Sequence, residues 1–117
     1  MARIRTAVIG AGYLGRFHAQ KYAALPQVDL LAVVDTDAEA RDRVAREVGC
    51  EAVADYRSLL GKVDAVSVVT PTPLHHRVSM DFLEAGAHVL VEKPITSTMD
   101  QARELVATAA RRGRVLQ

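Results

Sequence analysis

Four short apolar runs recur along this chain: IRTAVIGA (4–11), VDLLAVVD (28–35), DAVSVVT (64–70) and HVLVEK (88–93). They are nearly continuous and rich in Val and Ile, as strands covered on both faces are. A weaker run, CEAVA (50–54), reads as a short edge strand, and RVLQ (114–117) as the start of another. Stretches of helical spacing lie between them. Strands alternating with helices build a parallel sheet, and right-handed crossovers restrict it to a doubly wound one. The expected fold is therefore α/β, with about six strands and helices on both faces. The 117 residues suffice for one domain over 1–117, with no linker, repeat or low-complexity segment. The chain stops just inside its sixth strand, so it reads as a piece of a longer protein.

Each helix carries its own signals. The first spans about Tyr13 to Leu25, with Leu14, Phe17, the stem of Lys21 and Leu25 expected inward, and Pro26 ending it. The second opens on a capping box, Thr36-x-x-Glu39. It has a stripe at Ala40, Val44 and Val48, and Gly49 terminates it. The third runs from about Leu74 to Ala85, with Leu74, Val78, Phe82 and Ala85 on one face. The fourth opens on a second box, Thr98-x-x-Gln101, turns Ala102, Leu105, Val106 and Ala109 inward and stops at Gly113.

Composition excludes several classes. The net charge is +1, so nothing points to nucleic acid or an anionic membrane surface as a partner. The densest basic spot, Arg111-Arg112, reads as the complement of a helix C-terminus. No apolar stretch approaches the roughly 20 residues that span a bilayer, and the apolar run after MARIRT breaks at Gly10, too soon for a secretory signal. A single cysteine, Cys50, forms no internal disulfide and no Cys-based zinc site. It reads as a small buried hydrophobe, with a reactive thiol as the alternative. A cytoplasmic location fits.

Gly10-x-Gly12-x-x-Gly15 follows a strand and opens a helix, the setting that gives this spacing meaning. Gly10 permits the tight turn, Gly12 lets a pyrophosphate approach the backbone, and Gly15 lets helix and strand pack closely. Tyr13 and Leu14 complete the loop, whose free amides and helix dipole would face the anion. A ligand-free tight turn is the competing reading. Asp35 lies 20 residues past Gly15, at a strand end, where a carboxylate accepts hydrogen bonds from the ribose hydroxyls of adenosine. It would repel a 2′-phosphate, Asp37 adds to that field, and no arginine directly follows it. NAD is thus expected over NADP. The alternative for Asp35 is a helix cap.

Two further strand ends reach the same rim. In TPTPLHHRV (70–78), Thr70 and Pro71 could line the dinucleotide path, with Thr72 and His75 beyond them. Adjacent His75 and His76 cannot both face one site; solvated or capping roles are the alternative, and their spacing does not suit a metal. In HVLVEKPIT (88–96), Glu92, Lys93 and Pro94 close the fifth strand. A lysine there could steady a developing alkoxide or shuttle a proton beside the nicotinamide, or simply be a surface lysine. Pro94 marks a turn, with a cis bond open to it.

Together, GAGYLGRFH, VVDTD, TPTPLH and EAGAHVLVEKP resemble the N-terminal domain of the Gfo/Idh/MocA oxidoreductases, named for glucose–fructose oxidoreductase and inositol dehydrogenase, over about Ile4 to Gln117. The resemblance implies NAD or NADP in a Rossmann domain and oxidation or reduction of a hydroxyl on a sugar, cyclitol or related polyol. The lysine matching Lys93 would act in catalysis. Thr72 stands where the family commonly has Asn. The resemblance also implies a second domain, outside these residues, that supplies most substrate contacts, an acid/base histidine and usually an oligomer interface. By this reading the isolated chain binds NAD with little or no turnover. The alternatives are a nucleotide-binding or redox-sensing module without chemistry, and an S-adenosylmethionine-dependent methyltransferase.

Overall fold

The computed structural model describes residues 2–117. In chain order the elements are β1 (Ile4–Ile9), α1 (Tyr13–Ala24), β2 (Val28–Val34), α2 (Ala38–Val48), β3 (Glu51–Val53), β4 (Ala65–Val68), α3 (His75–Glu84), β5 (His88–Val91) and α4 (Met99–Arg112), with short 3-10 helices at Tyr56–Leu59 and Thr72–Leu74. The five strands form one sheet in the order β3-β2-β1-β4-β5, and every pairing is parallel. The final RVLQ starts a sixth position as expected. Leu116 bridges Val89 in parallel, and Val115, Gln117 and β5 exchange three backbone hydrogen bonds of 2.9–3.0 Å.

Alternation along the strands divides the core in two. Ala7, Ile9, Ala32, Val34, Val66, Val68, Val89 and Val91 face α3 and α4, where Phe82, Leu83, Leu105 and Ala109 fill the space. Val8 and Val33 face the other way, against Ala19 of α1 and Val44 of α2. From β1 the chain runs outward through β2 and β3, then returns to β4 on the other side of β1. The crevice opens where β1 and β4 diverge at their C-terminal ends, the switch point at which such sheets bind ligands.

Four packing details differ from the periodicity reading. In α1 the buried residues are Gly15 and Ala19, while Leu14, Phe17 and Leu25 are 43–45% exposed. The helix sits so close to the β1 turn that only small side chains fit between them, and the large apolar ones turn outward. In α2 the N-cap is Asp37, not Thr36; its carboxylate accepts from the amides of Glu39 (3.0 Å) and Ala40 (3.4 Å). A carboxylate caps at least as well as a hydroxyl, and it moves the helix start on by one residue. In the third helix, Leu74 and Ala85 lie just outside α3 and are exposed. In α4 Thr108, not Val106, completes the buried face. The second box holds, with Thr98 Oγ1 accepting from the amide of Gln101 at 3.2 Å.

The caps give a first prediction. Asp37→Ala should lower stability by about 1 kcal/mol, whereas Thr36→Ala should change it by less than about 0.5 kcal/mol. Urea unfolding of the two variants side by side checks the assignment.

Two minor expectations also resolve. Cys50 is half-buried, and burial pushes its thiol up to about 11, so it stays protonated and unreactive. Arg111 and Arg112 lie in the last turn of α4, and both reach Glu84 at the end of α3, at 2.9 and 3.3 Å.

Candidate functional site

The Gly-rich turn is set by contacts of backbone on backbone. Gly10 has φ +115°, a region that L side chains rarely adopt, and a Cβ there would lie 2.5 Å from the carbonyl oxygen of Val69. A Cβ on Gly15 would lie 1.8 Å from the Gly10 carbonyl oxygen. Gly12 is different: nothing lies within 4 Å of its Cβ position, and no side chain caps the helix it opens. Space is therefore kept free at the point where the first amides of α1 are unpaired by side chains, and that geometry suits an anion.

Asp35 faces this turn. Its Oδ2 accepts from the amide of Ala11 (2.8 Å) and its Oδ1 from the amide of Asp37 (2.9 Å), so the carboxylate is held by the two loops it connects. Each oxygen keeps a lone pair for a further donor. A cleft of about 730 Å³ runs from here across the rim, bringing together Gly10, Gly12, Asp35, Thr70 and Pro71. Val34 at the end of β2 and Thr36 just past it line the cleft, as do Leu74 in the preceding 3-10 helix and Arg77 and Val78 at the start of α3.

Its far wall is Ala54, Asp55, Tyr56 and Arg57, after β3. Sequence reading found the edge strand at CEAVA but missed this wall, because no motif marks Ala54 to Arg57. The rule that ligands sit beyond the carboxyl ends of the strands, applied to CEAVA, would have found it. Tyr56 donates to Asp81 of α3, tying the wall across the cleft; burial, then that contact, raises its phenol above the ordinary value, and it stays a donor. Arg57 sits 5.7 Å from the Tyr56 ring centre and 3.4 Å from Asp55. Arg77 makes no ion pair among the described residues.

The remaining sequence candidates lie elsewhere. Tyr13 is exposed and stacks edge-on against Phe17, and Leu14 is exposed beside it. Thr72 is half-buried in its 3-10 helix, outside the cleft lining. Lys93 and Pro94 are exposed on the β5 side of the rim, and the bond between them is cis. Glu92 is half-buried, with its carboxylate 3.7 Å from Nε2 of His18. His18 Nδ1 in turn meets the buried Ser67 hydroxyl at 2.9 Å, and the Tyr22 hydroxyl meets the same oxygen at 2.6 Å. This polar group on the α1 side was not foreseen. A serine inside the apolar run AVSVV was its one visible trace.

The two adjacent histidines diverge. His75 is 2% exposed and does not line the cleft; its ring nitrogens lie 2.8 Å from the Thr70 carbonyl oxygen and 2.9 Å from that of Pro94. His76 turns to Glu104 of α4 at 3.4 Å. Among the described residues no three His, Cys, Asp or Glu side chains cluster as a metal site would need, and no helix is long and apolar enough to cross a membrane.

Comparison with known proteins agrees with this geometry. Residues 4–117 match the family model described as "Oxidoreductase family, NAD-binding Rossmann fold". The chain is 48% identical, over 99% of its length, to a UDP-N-acetylglucosamine 3-dehydrogenase from Acidithiobacillus ferrooxidans, and covers 36% of that protein. It is 38% identical to a D-glucoside 3-dehydrogenase from Escherichia coli, covering 97% of this chain and 33% of that one. The chain thus spans about a third of these relatives. Among solved structures, GenD2 from gentamicin A biosynthesis, in complex with NAD, superposes with a TM-score of 0.94 at 36% identity, covering 99% of this chain and 34% of that one. With the family model spanning nearly every residue, the chain belongs to the Gfo/Idh/MocA oxidoreductases, as their NAD-binding Rossmann domain.

Proposed function

We propose that this chain is the cofactor-binding domain of an NAD-dependent dehydrogenase that moves hydride between nicotinamide and a hydroxyl or carbonyl of a sugar, cyclitol or related polyol. The observation that carries the reading is the pairing of an open anion seat at Gly12 with a carboxylate, Asp35, held by backbone amides on the same cleft. The residues fit the cofactor: an adenosine diphosphate needs free amides for its phosphates, an acceptor for its ribose and an apolar slot for its base. The amides at the start of α1 would hold the phosphates, Asp35 the ribose hydroxyls, and the slot among Val34, Tyr56, Leu74 and Val78 the adenine. The bound cofactor supplies the hydride exchange with the substrate carbon.

Lys93, exposed where β5 ends, is the residue proposed to contact the reacting oxygen. Its ammonium would hold charge or a proton there. Relatives named for their action on UDP-N-acetylglucosamine, D-glucosides and inositol support a polyol or sugar substrate. The remainder of the protein would supply the groups that orient it. NAD is favoured over NADP because Asp35 faces the ribose position, while Arg57 and Arg77 on the same cleft soften that preference.

Calorimetric titration of the chain with NAD and NADP tests the reading. Saturable heat with NAD, and weaker binding of NADP, is the expected result; no heat with either at millimolar concentration defeats it. Lys93→Ala should leave NAD affinity within about twofold, since an exposed side chain contributes little to binding. In the full-length protein it should lower kcat by about 100-fold or more, within the range for loss of a positioned acid or base. A module without chemistry would show no such loss.

A further inference from the structure

We infer that His75 is a positioning residue that straps the Lys93–Pro94 turn to the end of β4; the role this gives Lys93 rests on the function proposed above, whereas the strap itself does not. The ring is almost fully buried, and its two nitrogens face two backbone carbonyls, those of Thr70 and Pro94. These carbonyls belong to the loops that follow β4 and β5, 24 residues apart in the chain. A carbonyl oxygen only accepts, so each contact draws on a ring N–H; the neutral ring supplies one and the imidazolium two. Two simultaneous hydrogen bonds therefore need a proton on each ring nitrogen; with a single N–H the ring bonds one carbonyl and packs against the other.

Apolar packing of Ile95 on the core and burial of Thr96 hold the far end of this turn, and hydrogen bonding adds little else. Glu92 is still held by the sheet, through its amide to the Val68 carbonyl at 3.0 Å. Beyond it, among the described residues, 93–97 make one hydrogen bond to another part of the fold, Pro94 to His75, besides the local contact of Thr96 with Thr98. Lys93 itself is exposed and has no hydrogen-bonded partner among the described residues. Its place relative to the cleft therefore depends on the His75 tether at Pro94, one residue away, together with the packing of Ile95. The same ring fixes the Thr70 carbonyl, and Thr70 and Pro71 line the cleft. His75 thus puts the lysine end of the rim and the cleft wall in one register, without touching the cleft.

The test needs no turnover. Backbone 15N relaxation is measured on the ligand-free chain and on His75→Phe, which keeps a ring but has no donor. The expected result is a fall in order parameter from about 0.85 to below about 0.6 at Lys93, Ile95 and Thr96, with α1, α2 and the centre of the sheet unchanged. His75→Gln, which keeps one donor nitrogen, should fall between, and it replaces the Phe variant should that fail to fold. A second arm adds NAD to each protein and follows amide shifts. In the wild type, shifts are expected both at Gly12 and Asp35 and at residues 93–97; in His75→Phe only the first group should persist. Unchanged order parameters at 93–97, or a uniform loss across the chain, overturn the strap. If NAD moves no resonance in the wild type, the proposed function fails, and the relaxation arm still decides the role of His75.

Discussion

Gly15→Ala should cost the chain about 4 kcal/mol or more of stability, in the tail of point substitutions reserved for a named steric fault. The fault is a Cβ 1.8 Å from the Gly10 carbonyl oxygen. Both atoms are fixed: Gly15 is in the first turn of α1, and Gly10 is held by its amide to the Val34 carbonyl at 2.7 Å. Relief requires α1 to lift from β1, which uncovers Ala19 and Val8. A domain of this size commonly has only 5–15 kcal/mol in total, so the variant should unfold at much lower urea or not fold. Gly12→Ala is the contrast. Its Cβ position is empty and its φ of −78° suits any residue, so stability should hold within about 1 kcal/mol. The methyl would instead occupy the space kept for a ligand, and NAD affinity should drop about tenfold or more, the scale of one lost hydrogen bond to a charged group. Chemical denaturation and calorimetry on the pair separate the two roles. If Gly15→Ala is as stable as Gly12→Ala, the packing account of the turn is wrong.

This contrast also shows why the Gly-rich loop is legible in the sequence itself. A missing side chain leaves its trace directly in the residue letters, and the spacing repeats the two jobs, tight packing and open space. The sheet is legible for a similar reason, since strands covered on both faces must be apolar throughout. The helix faces are less so. Periodicity picks out large apolar residues, and in α1 the geometry demands small ones, so Gly15 and Ala19 go inward while Leu14 and Phe17 stay out. Thr36 and Asp37 are both competent caps one residue apart, and sequence alone does not rank them. The strand before the cleft wall at Tyr56 and Arg57 is legible as CEAVA, but no motif in the residues after it marks them as a wall. His75 illustrates the deeper limit. Its partners are two backbone carbonyls, and a carbonyl has no letter in the sequence.

Asp35→Ala should weaken NAD by about 1.5–3 kcal/mol, about 10- to 150-fold, with a smaller loss for NADP. The carboxylate is proposed to accept from the ribose hydroxyls, and such charge-assisted contacts are the strong ones. For NADP the same substitution also removes a repulsion, while Arg57 and Arg77 remain on the cleft to meet the 2′-phosphate. The substitution has a structural cost as well. The Ala11 amide, in a residue 1% exposed, and the amide of Asp37 both lose their acceptor, and a buried unpaired donor costs about 1–3 kcal/mol. Asp35→Asn separates the effects, because its carbonyl oxygen keeps one of the two amides while the charge goes. Asn should therefore be the more stable variant and should still shift preference toward NADP. The NADP gain should shrink with added salt, since exposed guanidinium groups are screened within about 10 Å at 0.1 M. Equal weakening of both cofactors, in either variant, would mean that Asp35 shapes the loop and does not choose the cofactor.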